Sequence, residues 1–242
     1  MTRFRQDSMP SALSQLFIDY RSDRAVRRSG ILRRVHPYHN YGALYNALFE
    51  PIRESATRVL ELGVAEGAGI QALRDFFDRA EIYGVDRKLP SITNTERLHL
   101  IEGEAFDNRS IVDGLPDGFD VIIEDTSHRN EHQIAALRLF WHKLRVGGLF
   151  IVEDLFVQPW SDCPPSQNAQ MPAYDGYYFS PIVHEFLPKH PQDLSFLNRK
   201  GLPRDVCDLL DQNEYFFAIT SIAKDGGLHM VLVIKKLDRS AA

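Results

Sequence analysis

From residue 56 onward, apolar residues come in short runs that switch between two periods. "TRVLELGV" is the near-continuous apolar run that a fully covered strand needs. "IQALRDFF" follows with a spacing of three and four, which puts Ile70, Leu73, Phe76 and Phe77 on one helical face. Strand-like runs recur at "EIYGVD" (Glu81 to Asp86), "RLHLIEG" (Arg97 to Gly103), "FDVIIED" (Phe119 to Asp125) and "LFIVED" (Leu149 to Asp154). Before the last of these, "IAALRLFWHKL" carries Leu137, Phe140, Trp141 and Leu144 on one stripe, and "RVGG" makes a turn. Strands alternating with helices predict an α/β fold with a parallel sheet covered on both faces. The rhythm changes near the end, where "EYFFAITSIA" and "LHMVLVIKK" are separated only by "KDGG", a pattern that predicts an antiparallel hairpin.

Residues 1–50 read as a separate N-terminal helical arm or cap, and 51–242 as the main domain. The first 34 residues hold eight arginines against three aspartates, while the whole chain has a formal net charge of -5. "DYRSDRAVRRSG" mixes charge signs at helical spacing and predicts a solvated helix. With no aromatic platform beside it, nucleic acid is not expected as a partner. At 44% hydrophobic and 25% charged, the 242 residues suit a globular protein with a sizeable core. Its two cysteines form no metal or disulfide pattern, no run of eighteen apolar residues occurs and no leader is visible, so a cytoplasmic location away from membranes is expected. One long irregular stretch, Val157 to Phe179, is rich in proline and aromatics. There Trp160, Tyr174, Tyr177 and Tyr178 are candidates to stack on an acceptor or to anchor the loop.

"ELGVAEGAG" (Glu61 to Gly69) sits between the first strand and its helix, where missing side chains let a ligand approach the backbone and the helix N-terminus. Its glycine spacing is not GxGxxG, and a plain strand-to-helix turn would look the same. Asp86, ending the second strand, is placed to accept ribose hydroxyls. With "ELG", the glycine turn, Asp86, the "LRVGG" turn and the closing hairpin in order, the chain resembles the class I S-adenosylmethionine-dependent methyltransferases. The resemblance implies a Rossmann-like, seven-stranded, mostly parallel sheet of order 3-2-1-4-5-7-6. It also implies Glu61 and Gly63 along the methionine part of the cofactor, Gly67 in the cofactor-binding turn, Asp86 at the ribose, and Glu104 of "EGEAF" at the adenine.

In such a sheet the fourth and fifth strands are neighbours, about 4.8 Å apart, so residues beyond their carboxyl ends meet. Asp125, Glu153 and Asp154 would repel one another there unless joined by a cation, and an all-oxygen set suits a hard divalent ion such as Mg2+. His128, just after Asp125, is placed to take a proton. Taken singly, Asp125 reads as well as a cap for a helix starting near Asn130, and His128 as a surface residue. Together, "IIEDTSH" and "IVEDL" resemble the metal-dependent sugar O-methyltransferases of macrolide biosynthesis and related rhamnosyl and nucleotide-sugar enzymes. That resemblance implies Asp125, Glu153 and Asp154 as metal ligands, with Asp125 and His128 catalytic and His128 the general base. It also implies Tyr41 and Tyr45, in "HPYHNYGALYNALFEP", as lid contacts to the cofactor, a small-molecule hydroxyl acceptor of sugar type and a homo-oligomer. Three alternatives stay open: a catechol-type enzyme, a relative of the cephalosporin hydroxylase type, and a noncatalytic module that binds an adenosyl compound.

Overall fold

The computed structural model describes residues 11–25, 41–155, 202–222 and 228–239. The long segment holding Trp160, Tyr174, Tyr177 and Tyr178 lies outside them. Two short helices come first, α1 (Ala12–Asp19) and α2 (Gly42–Phe49), followed by β1 (Arg58–Leu62), α3 (Ala68–Phe76), β2 (Glu81–Asp86) and β3 (Leu98–Glu102). Then come α4 (Arg109–Gly114), β4 (Phe119–Glu124), α5 (Asn130–Phe140), β5 (Leu144–Val152), α6 (Arg204–Asp211), β6 (Glu214–Ile222) and β7 (Leu228–Lys235). The seven strands form one sheet in the order β3-β2-β1-β4-β5-β7-β6, the order that the resemblance implied. The first five pair in parallel, and β7 runs antiparallel to both β5 and β6.

The apolar runs are continuous because both faces of the sheet are covered. Leu60, Leu62 and Ile122 belong to one core; Val59, Val121 and Ile123 belong to the other. The second core also takes in the face of α3 expected from its spacing, since Ile70, Leu73, Phe76 and Phe77 are all fully buried. Each such side chain contributes about 1.5–3 kcal/mol by leaving water. Leu13 and Phe17 from α1, with Tyr41, Tyr45 and Phe49 from around α2, join that same core. The two N-terminal helices are thus built into the packing of the sheet.

Two local expectations change. β5 starts five residues earlier than expected, at Leu144, which leaves the helical stripe to become its first residue. The "RVGG" turn is absorbed as an irregularity in the β4–β5 pairing, where Phe119 faces Leu144 but Val121 faces Leu149, and Gly147 takes the positive φ (76°) that the bend requires. The second change matters more for the site. "DYRSDRA" does not form a solvated helix: α1 ends at Asp19, the chain turns through residues 20–25, and both Ser22 and Arg24 are buried, while "VRRSG" lies outside the described residues.

Strands leave β1 in opposite directions, toward β2 and β3 on one side and toward β4 and β5 on the other. The carboxyl ends of β1 and β4 therefore border the crevice where sheets of this kind take their ligands. Gly63 allows these ends to approach. At φ 88° its missing Cβ makes room for the Asp125 carbonyl, and Asp125 N donates to the Leu62 carbonyl at 2.8 Å.

Candidate active site at the ends of β1, β2, β4 and β5

A cavity of about 540 Å³ opens at this crevice. Gly63, Asp86, Glu104 and Asp125, all expected at the site, line it; Phe106, Thr126 and His132 complete its wall. The rings of Phe106 and His132 stack with centroids 3.6 Å apart and planes 6° from parallel, and His132 Nδ1 lies 2.6 Å from the Ser127 hydroxyl. The sequence reading passed over His132, although it closes the same "EDTSHRNEH" segment. Gly67 does not line the cavity. Its φ of 85° serves the entry into α3, and a side chain there would strike Ile92. Asp86 has a structural task that the sequence did not reveal. Its Oδ2 accepts from the amides of Val64 (2.7 Å) and Ala65 (2.9 Å), which fastens the glycine turn to β2, and its Oδ1 accepts from Lys88 N at 3.0 Å.

Beside the cavity lies a dense group of carboxylates. Glu61, Glu153 and Asp154 are each 1% exposed, and Asp125 is half-buried. Burial raises the Glu153 carboxyl to about 8 despite Arg24, with Asp154 pushing the same way. Burial likewise raises Asp125, helped by Glu153, and raises Glu61. At the end of β4, Glu124 accepts from the Thr126 amide and hydroxyl, and burial lifts it to about 7.

Arg24 is the residue that sequence reasoning missed. Its guanidinium is 3% exposed, and Nε donates to Glu153 Oε1 (2.8 Å), Nη2 to Asp125 Oδ2 (2.7 Å) and Nη1 to Glu61 Oε1. Gly69 makes room for it, since a Cβ there would meet Arg24 Nη1. Burial works against the charge, but the carboxylates of Glu153, Glu61 and Asp125 outweigh it and keep Arg24 protonated. One signal in the sequence pointed this way: so many acids at adjacent strand ends need a cation.

Tyr41 and Tyr45, expected as lid contacts to the cofactor, bond to two of the acids. Both are fully buried and absent from the cavity wall; the Tyr41 hydroxyl donates to Asp154 Oδ1 and the Tyr45 hydroxyl to Glu153 Oε1. Burial and these acids raise both phenols well above their ordinary range, so they remain donors. His128 sits in the loop after Asp125 with a positive φ of 59°, a conformation that a non-glycine residue keeps only under constraint. Its Nδ1 faces Asp125 Oδ1 at 3.6 Å and Asp154 Oδ2 at 3.9 Å. Asp154 itself has φ 51°. One ligand atom each from Asp125, His128 and Asp154 lies within 4.8 Å of the others, a grouping that fits a metal ion. Glu153, expected to complete the set, directs one oxygen to Arg24 and Tyr45 instead.

Residues 60–155 match the family model of a methyltransferase domain. This stretch is similar to methyltransferase domains, and the strand order is that of the class I methyltransferase fold. An 8-demethyl-8-alpha-L-rhamnosyl tetracenomycin-C 2'-O-methyltransferase of Streptomyces olivaceus is 32% identical over 150 residues, covering 58% of this chain and 36% of that protein. A mycinamicin VI 2''-O-methyltransferase of Micromonospora griseorubida is 30% identical over 132 residues, 50% of this chain and 33% of the relative. The chain thus matches about a third of the length of these relatives. Among solved structures, a methyltransferase from the mycinamycin biosynthetic pathway, in complex with Mg and SAH, superposes with a TM-score of 0.61 at 24% identity, covering 97% of this chain and 57% of the other. That likeness is one of fold. No helix among the described residues is long and apolar enough to cross a membrane.

Proposed function

We propose that the chain is an S-adenosylmethionine-dependent O-methyltransferase that uses a divalent cation, Mg2+ first among them, and acts on a sugar hydroxyl of a small molecule. The observation that carries this reading is the group formed by Asp125, His128 and Asp154, poised at the ends of β4 and β5 beside the cavity that also holds Asp86 and Glu104. Relatives named as sugar O-methyltransferases support the acceptor class. We extend the reading to a 51–242 methyltransferase domain covered at the site by the 1–50 arm, in a cytoplasmic homo-oligomer. The oligomer rests on resemblance, and the location on cysteine usage.

The residues present fit the absent groups. Hard oxygen donors dominate the cluster, burial and mutual repulsion raise the Asp125 and Glu153 carboxyls, and both Glu153 Oε2 and His128 Nδ1 are buried without a hydrogen-bond partner. When bound, the cofactor supplies an electrophilic methyl group and the cation supplies positive charge beside the acceptor oxygen. Asp125 and Asp154 would hold the cation, and Glu153 would do so through its second oxygen. Asp86 would accept the ribose hydroxyls on its remaining lone pairs, and Gly63 lets the cofactor approach the backbone. Glu104 and the Phe106–His132 stack would border the adenine. His128 Nδ1 would accept the proton of the acceptor hydroxyl while the constrained loop keeps the ring aimed at the cluster.

The test is incubation with methyl-labelled S-adenosylmethionine and a panel of glycosides and phenols, with and without Mg2+. Label on a glycoside only when Mg2+ is present is the expected result. Label on phenols alone would overturn the acceptor class. Transfer that persists in a metal-free preparation would remove the cation.

A further inference from the structure

The contacts of the N-terminal helices with the acids follow a rule. Each carboxylate gives one oxygen to that segment and turns the other elsewhere. Glu61 and Glu153 accept on Oε1, from Arg24 and from Arg24 with Tyr45, while their Oε2 atoms are buried without a hydrogen-bond partner. Asp125 accepts from Arg24 on Oδ2 and presents Oδ1 to His128, and Asp154 accepts from Tyr41 on Oδ1 and presents Oδ2 to His128. Of these four acids only Asp125 reaches the cavity wall, and Arg24, Tyr41 and Tyr45 do not line it.

We propose that Tyr41, Tyr45 and Arg24 are positioning residues of the cation site, an outer layer of donors that fixes one oxygen each of Asp125, Glu153 and Asp154 so that the other is left for the ion. The inference rests on the proposed cation dependence and deepens it. Outer partners of this kind set the orientation of metal ligands, and losing one typically weakens metal binding 10- to 100-fold. Their absence from the cavity wall separates this role from that of a cofactor lid. Their direct bonds to the acids separate it from simple core packing.

Tyrosine variants test it most cleanly, because Tyr45→Phe and Tyr41→Phe each remove one hydroxyl and leave ring packing and net charge in place. Arg24→Gln would change donor and charge together and mix two effects of opposite sign. We would titrate Mn2+ into the full-length protein by electron paramagnetic resonance, and S-adenosylhomocysteine into metal-free protein by calorimetry. The expected result is about tenfold weaker Mn2+ binding in each variant, with metal-free S-adenosylhomocysteine affinity within about twofold of wild type. Unchanged or tighter Mn2+ binding in both variants, with the wild type binding, would overturn the inference and leave the cation reading standing. Weaker S-adenosylhomocysteine binding with unchanged Mn2+ binding would make them lid residues instead. A wild type that does not bind Mn2+ would defeat the cation reading and, with it, the inference.

Discussion

Asp86 and Asp125 close the two strands that flank β1, and both line the same cavity, yet their surroundings differ in kind. Asp86 accepts from three backbone amides, all within 22 residues of it in the chain, so its charge is met by neutral dipoles that its own loops supply. Asp125 is met by the guanidinium of Arg24, 101 residues away, and by an imidazole at 3.6 Å, while Glu153 and burial push its carboxyl upward. The first acid is complete within the fold and can hold a neutral sugar ring. The second belongs to a cluster with more negative charge than its single arginine balances, and such a cluster favours a cation.

Predictions can break this contrast, beginning with the largest effect. Asp125→Asn should lower kcat on the order of 10³-fold or more, because it removes charge shared by the cation and the catalytic loop. Methyl transfer above a tenth of wild type would show that Asp125 is not central. His128→Ala comes next, with a loss of about 10²- to 10³-fold in kcat while Mn2+ and the cofactor still bind. Steady-state rates of both proteins at saturating Mg2+ check it. An alanine variant that keeps the rate would reduce His128 to a loop residue.

Asp86→Asn should be milder, weakening S-adenosylhomocysteine binding about tenfold in calorimetry. One amide nitrogen then faces the backbone donors of Val64 and Ala65, or the ribose, where an acceptor stood. Full affinity in a folded variant would confine Asp86 to its structural task. The smallest effect concerns stability without metal. Glu153 and Glu124 keep their protons in the folded chain to about 8 and about 7, against an ordinary value of 4.5, so the folded state binds more protons than the unfolded one between these limits. Stability should therefore fall as pH rises from about 4.5 to about 8, by about 3 °C or more in Tm, and Mg2+ should restore it. A flat metal-free profile would remove the charge imbalance from the account.

The sheet was legible because burial on both faces makes its strands continuous apolar runs, and a strand needs only local sequence to be recognised. Asp86, Asp125 and Asp154 were legible for a related reason: an acid at the end of such a run stands out. Arg24 was not. It lies among arginines in a segment of mixed charge, and its partners are 37, 101 and 129 residues away, so nothing local marks it from Arg21 or Arg27. The bonds from Tyr41 and Tyr45 to Asp154 and Glu153 were not legible, because a pattern of aromatic residues says that a helix docks and not which atoms its hydroxyls meet. Gly67 was read as a ligand contact for a similar reason, since a glycine needed for a left-handed helix entry and one needed for close approach look alike in sequence.

The links from the N-terminal segment to the acids of β5 also set an order of assembly. They span 108, 113 and 129 residues, against a separation of about 20 residues for the turn held by Asp86. Contacts that close long stretches of chain form slowly and late. Until they form, Glu153 and Asp154 stand in water as ordinary ionised carboxylates. Docking of α1 and α2 is then the step that dries them, and a cation captured before that step would be enclosed as the chain finishes folding. Refolding with Mn2+ already present and adding it afterwards would then follow different time courses to the same final state.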